Sequence, residues 1–258
     1  MSLSYLSFLI LIPISSLVIY SFGVPIADFL RIMTDERVVA AFRVSFSSAF
    51  IAAMVNMVFG FFLALVLARY TFFGKRIIDA FVDLPFAIPS AVAGIALSVL
   101  FSPDGFLGRF LSIFNVSLGF SRAAIIVALI FAGFPFVVRT VQPVIEELDE
   151  ALEDAAASLG ANYFQIFFRV IFPSVLPALL AGTTMAFARG LGEYGSVIFI
   201  SSNMPYETEI VPLLIVKQLM QFDYLSASAI GVSMLVIAFV LLLAVDMLQN
   251  RITKRKST

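Results

Sequence analysis

Glu146-Glu147-Leu148-Asp149-Glu150-Ala151-Leu152-Glu153-Asp154-Ala155-Ala156-Ala157-Ser158-Leu159-Gly160 separates two strongly apolar parts of the chain. Six carboxylates fall within its first nine positions, so the segment cannot lie in hydrocarbon. Ala151, Leu152, Ala155, Ala156 and Leu159 recur at helical spacing, which predicts a short amphipathic helix that Gly160 is suited to end. A second short helix is expected over 161–170, with Tyr163, Phe164, Phe167 and Phe168 as its apolar content and Phe172-Pro173 closing it. Residues 141–173 therefore read as a soluble connector within a chain otherwise built for lipid.

The composition supports that contrast. Hydrophobic residues make up 61% of the 258 positions, and the mean hydropathy is +1.06. A soluble chain of this size could not hide so much apolar surface in one core. A helix needs about 20 mostly apolar residues to cross ~30 Å of hydrocarbon. Six candidate spans result: Leu3 to Phe22, Val44 to Leu67, Leu84 to Phe101, Ala123 to Val138, Val175 to Ile200 and Tyr224 to Leu248. Transmembrane strands would alternate over about ten residues, whereas these runs are apolar on every side. The first apolar segment has no preceding Lys or Arg and no small-residue cleavage site, so it reads as a retained span. The chain is expected to be an all-α, polytopic membrane protein, one transmembrane domain over residues 1–258.

Orientation follows from the basic residues. Arg69, Lys75 and Arg76 follow the second span, and Arg251, Lys254, Arg255 and Lys256 follow the sixth. The positive-inside rule then places both termini and the loops after spans two and four in the cytoplasm. Arg31, Arg37, Arg43, Arg109 and Arg122 run against this bias on the outer side.

Several chemistries are excluded. The chain has no cysteine and no histidine, so disulfides, thiolate nucleophiles, imidazole catalysis and the usual zinc ligands are all missing. With 13% charged residues and a net charge of -1 it offers no basic surface to a nucleic acid. No Gly-x-x-x-x-Gly-Lys-Ser/Thr loop is present to hold nucleotide phosphates.

Asp154-Ala155-Ala156, Gly160 and Val170-Ile171-Phe172-Pro173 resemble, in spacing throughout, the EAA loop of ABC importer permeases. Asp stands for Glu, Val for Ile and Phe for Leu, which preserves charge and apolar character. The resemblance implies a type I (MetI-like) importer fold with six transmembrane helices. It also implies that Glu153, Asp154, Ala155, Ala156, Ser158, Leu159, Gly160 and Ala161 form the coupling helix that docks on a cytoplasmic ATPase. The bland alternative, an acidic connector on the membrane surface, would be repelled by anionic headgroups.

Further stretches are similar to the sulfate/molybdate branch of that family: 84–94 (Leu84-Pro85 to Gly94), 134–143 (Phe134-Pro135 to Pro143) and 188–196 (Ala188-Arg189 to Ser196). With Thr208-Glu209-Ile210 and Pro212-Leu213, the likeness is to the T-type subunit of sulfate/thiosulfate permeases, and it covers nearly the whole chain. Molybdate or tungstate is the alternative cargo. The resemblance implies an inner-membrane assembly with a second, W-type permease, two copies of an ABC ATPase and a periplasmic sulfate-binding protein. No cofactor is expected on this chain, and ATP with Mg2+ would sit on the ATPase, so the chain is not itself an enzyme.

Arg189 and Glu193 fall inside the fifth span at i and i+4. Intramembrane charge costs about 2.5–3.5 kcal/mol on insertion scales, so it faces a partner or a water-filled path. Either the two neutralise each other to fix packing, or Arg189 serves an anion path with Glu193 holding it. Gly190, Gly192 and Gly195 mark either an unwound turn or a close helix contact. Asn56, Ser90, Ser98, Thr183 and Thr184 either line the path or bond neighbouring helices. Asp79 and Asp83 with Lys75 and Arg76 read as a solvated cytoplasmic shoulder, and the outer loops around 103–105 and 204–209 as candidate contacts for the binding protein. An ion-coupled secondary transporter would need an inverted repeat and a deep coupling carboxylate, and only Glu193 offers itself.

Overall fold

Inside a bilayer each backbone N–H and C=O has to find its partner within the protein, so an isolated span has to be a helix. The computed structural model describes residues 2–114 and 118–254. In chain order the helices are α1 (Ser2–Phe22), α2 (Ile26–Met33), α3 (Glu36–Arg69), α4 (Lys75–Ala87), α5 (Ser90–Phe101), α6 (Phe106–Ser112) and α7 (Arg122–Glu146). There follow α8 (Glu150–Ser158), α9 (Tyr163–Ile166), a π-helical turn (Phe167–Ile171), α10 (Phe172–Leu191), α11 (Gly195–Ile200), α12 (Val211–Met220) and α13 (Tyr224–Lys254). The described residues contain no strand, only an isolated bridge between Phe120 and Ser201.

Five rods are long and apolar enough to cross a membrane: Glu36–Arg69, Ser90–Ser112, Arg122–Glu146, Tyr163–Leu191 and Tyr224–Val245. A sixth exists if Ser15–Phe22 and Ile26–Met33, bent by 109°, are one span. This agrees with the all-α, six-span expectation, while several boundaries move. The third span does not begin at Leu84. Ile88 is extended, as the residue before a proline prefers, and ends α4, so the span starts afresh at Ser90. The fourth does not stop at Val138, because α7 runs on to Glu146 with Val141 and Ile145 fully buried. Arg255 and Lys256 of the basic tail lie outside the described residues.

The expected stop at Phe172-Pro173 does not occur either. A proline ring in a regular α-helix collides with the carbonyl four residues back, here that of Arg169. The chain widens into the π turn just before it, with the Phe172 N–H donating to the Phe167 carbonyl, and the rod continues into α10. Phe61 of α3 packs its ring against Phe167 and Phe172 at 5.9 and 6.0 Å, covering the widened turn.

The centre of the molecule is the trio α3, α7 and α10. Half of the most apolar stretch of α7 is buried, against 39% for α3 and 17% for the rod that carries α10, so α7 is the axis and α3 and α10 pack on it. Without a hydrophobic drive between helices in lipid, close approach through small residues has to supply the attraction. Val137 of α7 meets two of them. A Cβ added to Gly60 of α3 would lie 2.9 Å from Val137 Cγ1, and one added to Gly182 of α10 would lie 2.9 Å from Val137 Cα. Ala41, Ser45, Ser48, Ala49, Ala52, Ala53 and Ala64 extend the same small-residue face along α3.

Around the trio, α5 lies on α11, α12 and α1 on α13, and α4 on α7. The last contact adds a partner to the solvated shoulder of Asp79 and Asp83, whose side chains are 40% and 53% exposed. Arg139 of α7 donates Nε to Asp83 Oδ1 (2.8 Å) and Nη2 to Asp83 Oδ2 (2.7 Å). It also donates Nη1 to Asp79 Oδ1 (2.7 Å) and Gln142 Oε1 (3.0 Å), and Nη2 to the Asp79 carbonyl (2.9 Å). A planar guanidinium with its donors so fully used is a clamp between α4 and α7 at this solvated edge.

Gly182→Leu drives a branched side chain into the backbone of α7, where overpacking costs typically about 1–3 kcal/mol. The expected result is a lower thermal midpoint of the detergent-solubilised protein by circular dichroism at 222 nm, with Gly192→Leu, where nothing lies closer than 3.9 Å, as the tolerated control.

Candidate functional site

Three successive caps shape the acidic connector. Asp149 accepts the Ala151 N–H at 2.9 Å and starts α8. At the other end Gly160 takes φ +85°, the Gly160 N–H donates to Ala157 and the Ala161 N–H to Ala156, which is a Schellman ending. Asn162 then forms a capping box with Gln165 and starts α9 at once. The result is a short helix with both ends tied down, joined by brief turns to two spans.

Its faces differ. Asp154, Ala155, Ser158, Leu159 and Gly160 are exposed, Leu159 at 90%, whereas Glu153, Ala156 and Ala161 are turned partly inward. Anionic headgroups repel the acidic face, so Leu159 is an apolar side chain left exposed beside carboxylates on a fixed turn. Glu153 forms an ion pair with Arg69 at the end of α3, with side chains 26% and 16% exposed.

Of the two intramembrane charges, Arg189 lies in the last turn of α10 and Glu193 in the break that follows it. α10 ends at Leu191, Gly192 to Tyr194 leave the helix, and α11 begins at Gly195. Glu193 is 1% exposed. Its Oε2 meets Arg189 Nη1 at 2.5 Å, and its Oε1 accepts both the N–H and the hydroxyl of Ser196 at 2.9 Å. Both carboxylate oxygens are occupied, so this group ties the broken turn to α10 on one side and α11 on the other. Arg189 keeps 39% of its side chain exposed. A guanidinium cannot be left facing acyl chains, so this surface has to meet another subunit or water.

Ser90 joins this site. It starts α5, and a Cβ on Gly195 would lie 2.2 Å from its Oγ. On the other side of the contact, a Cβ on Gly94 would lie 2.4 Å from the Ser196 carbonyl. The glycines thus serve both an unwound turn and a close contact of α5 with α11. Asn56 is elsewhere, 1% exposed in the packed α3–α7–α10 interface, with its Oδ1 unpartnered. Thr184 donates to the Leu180 carbonyl at 2.8 Å and is half-buried.

A third charged group was not foreseen. Glu209 is 1% exposed at the opposite end of α3 from Arg69. It accepts from Arg37 Nε at 2.7 Å, Arg37 Nη2 at 2.8 Å and Lys217 Nζ at 2.6 Å. Met204, with its carbonyl accepting the Thr208 and Glu209 N–H groups, folds the loop that carries it. Arg37 lies 172 positions from Glu209, so local sequence carries no signal for the pairing. Burial pushes the Glu209 carboxyl up, but the hydrogen bonds and charges of Arg37 and Lys217 outweigh it and hold the group below the ordinary carboxylate value.

Because the folded value lies below the unfolded one, Glu209 contributes stability that is fully present above about pH 4.3 and is lost as pH falls through the folded value. Thermal midpoints by circular dichroism should therefore drop below about pH 4.3 in the native protein. Glu209→Gln should be less stable at pH 7, about 3–5 kcal/mol being typical for a broken buried pair, and should lack that part of the acid dependence.

The family model for the inner membrane component of binding-protein-dependent transport systems matches residues 56–258. The sulfate transport system permease protein CysT of Salmonella typhimurium is 44% identical over 254 residues, covering 98% of this chain and 92% of that protein. The protein of the same name from Synechocystis sp. is 43% identical over 246 residues, covering 95% and 86%. Among solved structures, a bacterial ABC transporter involved in the import of the acidic polysaccharide alginate superposes with a TM-score of 0.81 at 19% identity, covering 98% of this chain and 93% of that one. The MetNI methionine ABC transporter, in an inward-facing form, gives 0.61 at 19% identity over 84% and 95%. At those identities the two structures establish the fold alone, whereas the family match and the relatives at 43–44% identity establish descent: the chain belongs to the family of inner membrane components of binding-protein-dependent transport systems.

Proposed function

We propose that this chain is the T-type permease subunit of an ATP-driven importer for sulfate and thiosulfate, and that it supplies half of the translocation path. The observation that carries the reading is α8: a capped, exposed, acidic helix fixed between two spans of a bundle whose relatives are sulfate transport permeases. A short helix held at both ends transmits a push without bending. In this reading α8 and the Gly160 turn face the cytoplasm and seat on an ABC ATPase, which binds ATP and Mg2+, and both termini share that side with the basic residues after α3 and α13. A W-type permease, two ATPase copies and a periplasmic sulfate-binding protein complete the assembly. The similarity to an alginate transporter solved with its periplasmic protein is in keeping with such an arrangement.

Arg189 takes the permeation role in this reading. It is half-exposed at a broken helix within the span, and its anchor Glu193 is buried and occupied, so the cation is presented while the carboxylate is withheld. A passing dianion meets a fixed positive group whose charge is already partly offset, which favours transit over tight binding.

The test is uptake of labelled sulfate into proteoliposomes holding the assembly. Uptake should require ATP and the binding protein and should be competed by thiosulfate. Uptake driven by an ion gradient and indifferent to ATP would reject the reading, and preferential competition by molybdate would move the cargo. Gly160→Pro removes the N–H given to Ala157 and cannot adopt φ +85°, so it should abolish uptake and ATPase co-purification while the protein still inserts.

For the path, Arg189→Gln should slow uptake about tenfold or more at matched expression, the size expected when one charged contact worth 1.4 kcal/mol or more is lost. Arg189→Lys should keep part of the rate. Wild-type uptake by Arg189→Gln would leave that residue a packing role only.

A further inference from the structure

The three central helices do not reach α8 in the same way. α7 enters it through residues 147–149 and the α9–α10 rod leaves it through residues 159–162, so both are joined to it by the chain itself. α3 ends at Arg69, 84 positions before Glu153, and meets α8 through the Arg69–Glu153 ion pair. The backbone of α8 lies against that of α9 and has no comparable packing on α3. The pair is also well placed to bear load. Arg69 and Glu153 are 16% and 26% exposed, so water screens them less than a surface bridge, and the guanidinium is a rigid fork rather than a point charge. Glu153 and Ala156, one turn apart, face the bundle, while Asp154, Leu159 and Gly160 face away.

We infer that Arg69 is a positioning residue that fastens α3 to the coupling helix through Glu153, so that a displacement of α8 reaches α3 as well as α7 and α10. This rests on the proposed role of α8 and changes one part of it: Glu153 belongs to the strut within the permease, and the contact with the ATPase is left to residues 154–161. Val137, Gly60 and Gly182 lock α3, α7 and α10 together, Leu67 is buried with Ile145 and Ile171 at the Arg69 end of α3, and Arg69–Glu153 carries that end on to α8 itself.

The full complex, with its ATPase subunits and binding protein, provides the test. Arg69→Gln should leave the ATPase co-purifying at the native ratio but lower sulfate transported per ATP hydrolysed about tenfold, within the usual range of coupling between sites. Exchanging the charges, Arg69→Glu with Glu153→Arg, should recover most of that ratio. An unchanged ratio in Arg69→Gln, loss of the ATPase from the complex, or an exchange no better than Arg69→Gln would each overturn the strut. A second readout needs no sulfate. The chain has no native cysteine, so spin labels at Thr71→Cys and Ala157→Cys can report the α3–α8 distance in the same complex. A narrow distribution that broadens with Arg69→Gln supports the proposal, and one that does not change overturns it. Failure of the wild-type complex to take up sulfate would sink the cargo assignment, and the label distances would still judge the ion pair.

Discussion

The close crossing of α3, α7 and α10 at Val137 is the contact on which the other features depend. In hydrocarbon the side chains of neighbouring spans gain nothing by leaving solvent, so helix association rests on dispersion and shape. Gly60 and Gly182 let Val137 sit against two backbones at once. With the trio fixed, its two ends become fixed places in space. One end carries Arg69, Ile145 and Ile171 beside α8, and the other carries Val38, Ala41 and Val211 beside the Glu209 loop.

The paired charges join one rod to the next, most of them near helix ends and one, Arg139, inside α7. Arg139 clamps α4 to α7, Arg69 meets Glu153, Glu193 pins the α10–α11 break, and Glu209 gathers α3 and α12 around a turn. A buried or half-buried carboxylate is expensive unless its oxygens are bonded, and Glu193 and Glu209 have both of theirs engaged. The ion pairs therefore hold junctions between rods, which is where a protein that alternates between states must be stiff in some places and able to bend in others. The turn at Gly192 is held by Glu193, and α8 is tied by caps at both ends.

Much of this was legible in the residues. Apolar runs of bilayer length gave the helices, and spacing alone placed α8 and its Gly160 ending, because capping and amphipathic period are local properties. The prolines misled in both directions. Pro173 looked like a stop, yet a π turn absorbed it, while Pro89 fell inside the expected third span, Leu84 to Phe101, and marks a break between α4 and α5. A proline fixes its own φ and removes one donor, but whether the chain widens or ends there depends on what packs around it, here Phe61 against Phe167 and Phe172. Asn56 shows the same limit: a polar residue in a span looks alike in sequence whether it faces a path or, as here, a neighbouring helix.

The sequence by itself determined that this is a bundle of lipid-crossing helices interrupted by one short acidic helix ending at Gly160, since hydropathy, helical period and capping act over a few residues. The tertiary structure alone decided which charges meet. Arg69 with Glu153, Arg139 with Asp79 and Asp83, and Arg37 with Glu209 are 84, 60, 56 and 172 positions apart. No local propensity spans such distances: these partners are chosen by how the rods cross, and the crossing is set by where two glycines leave room for Val137.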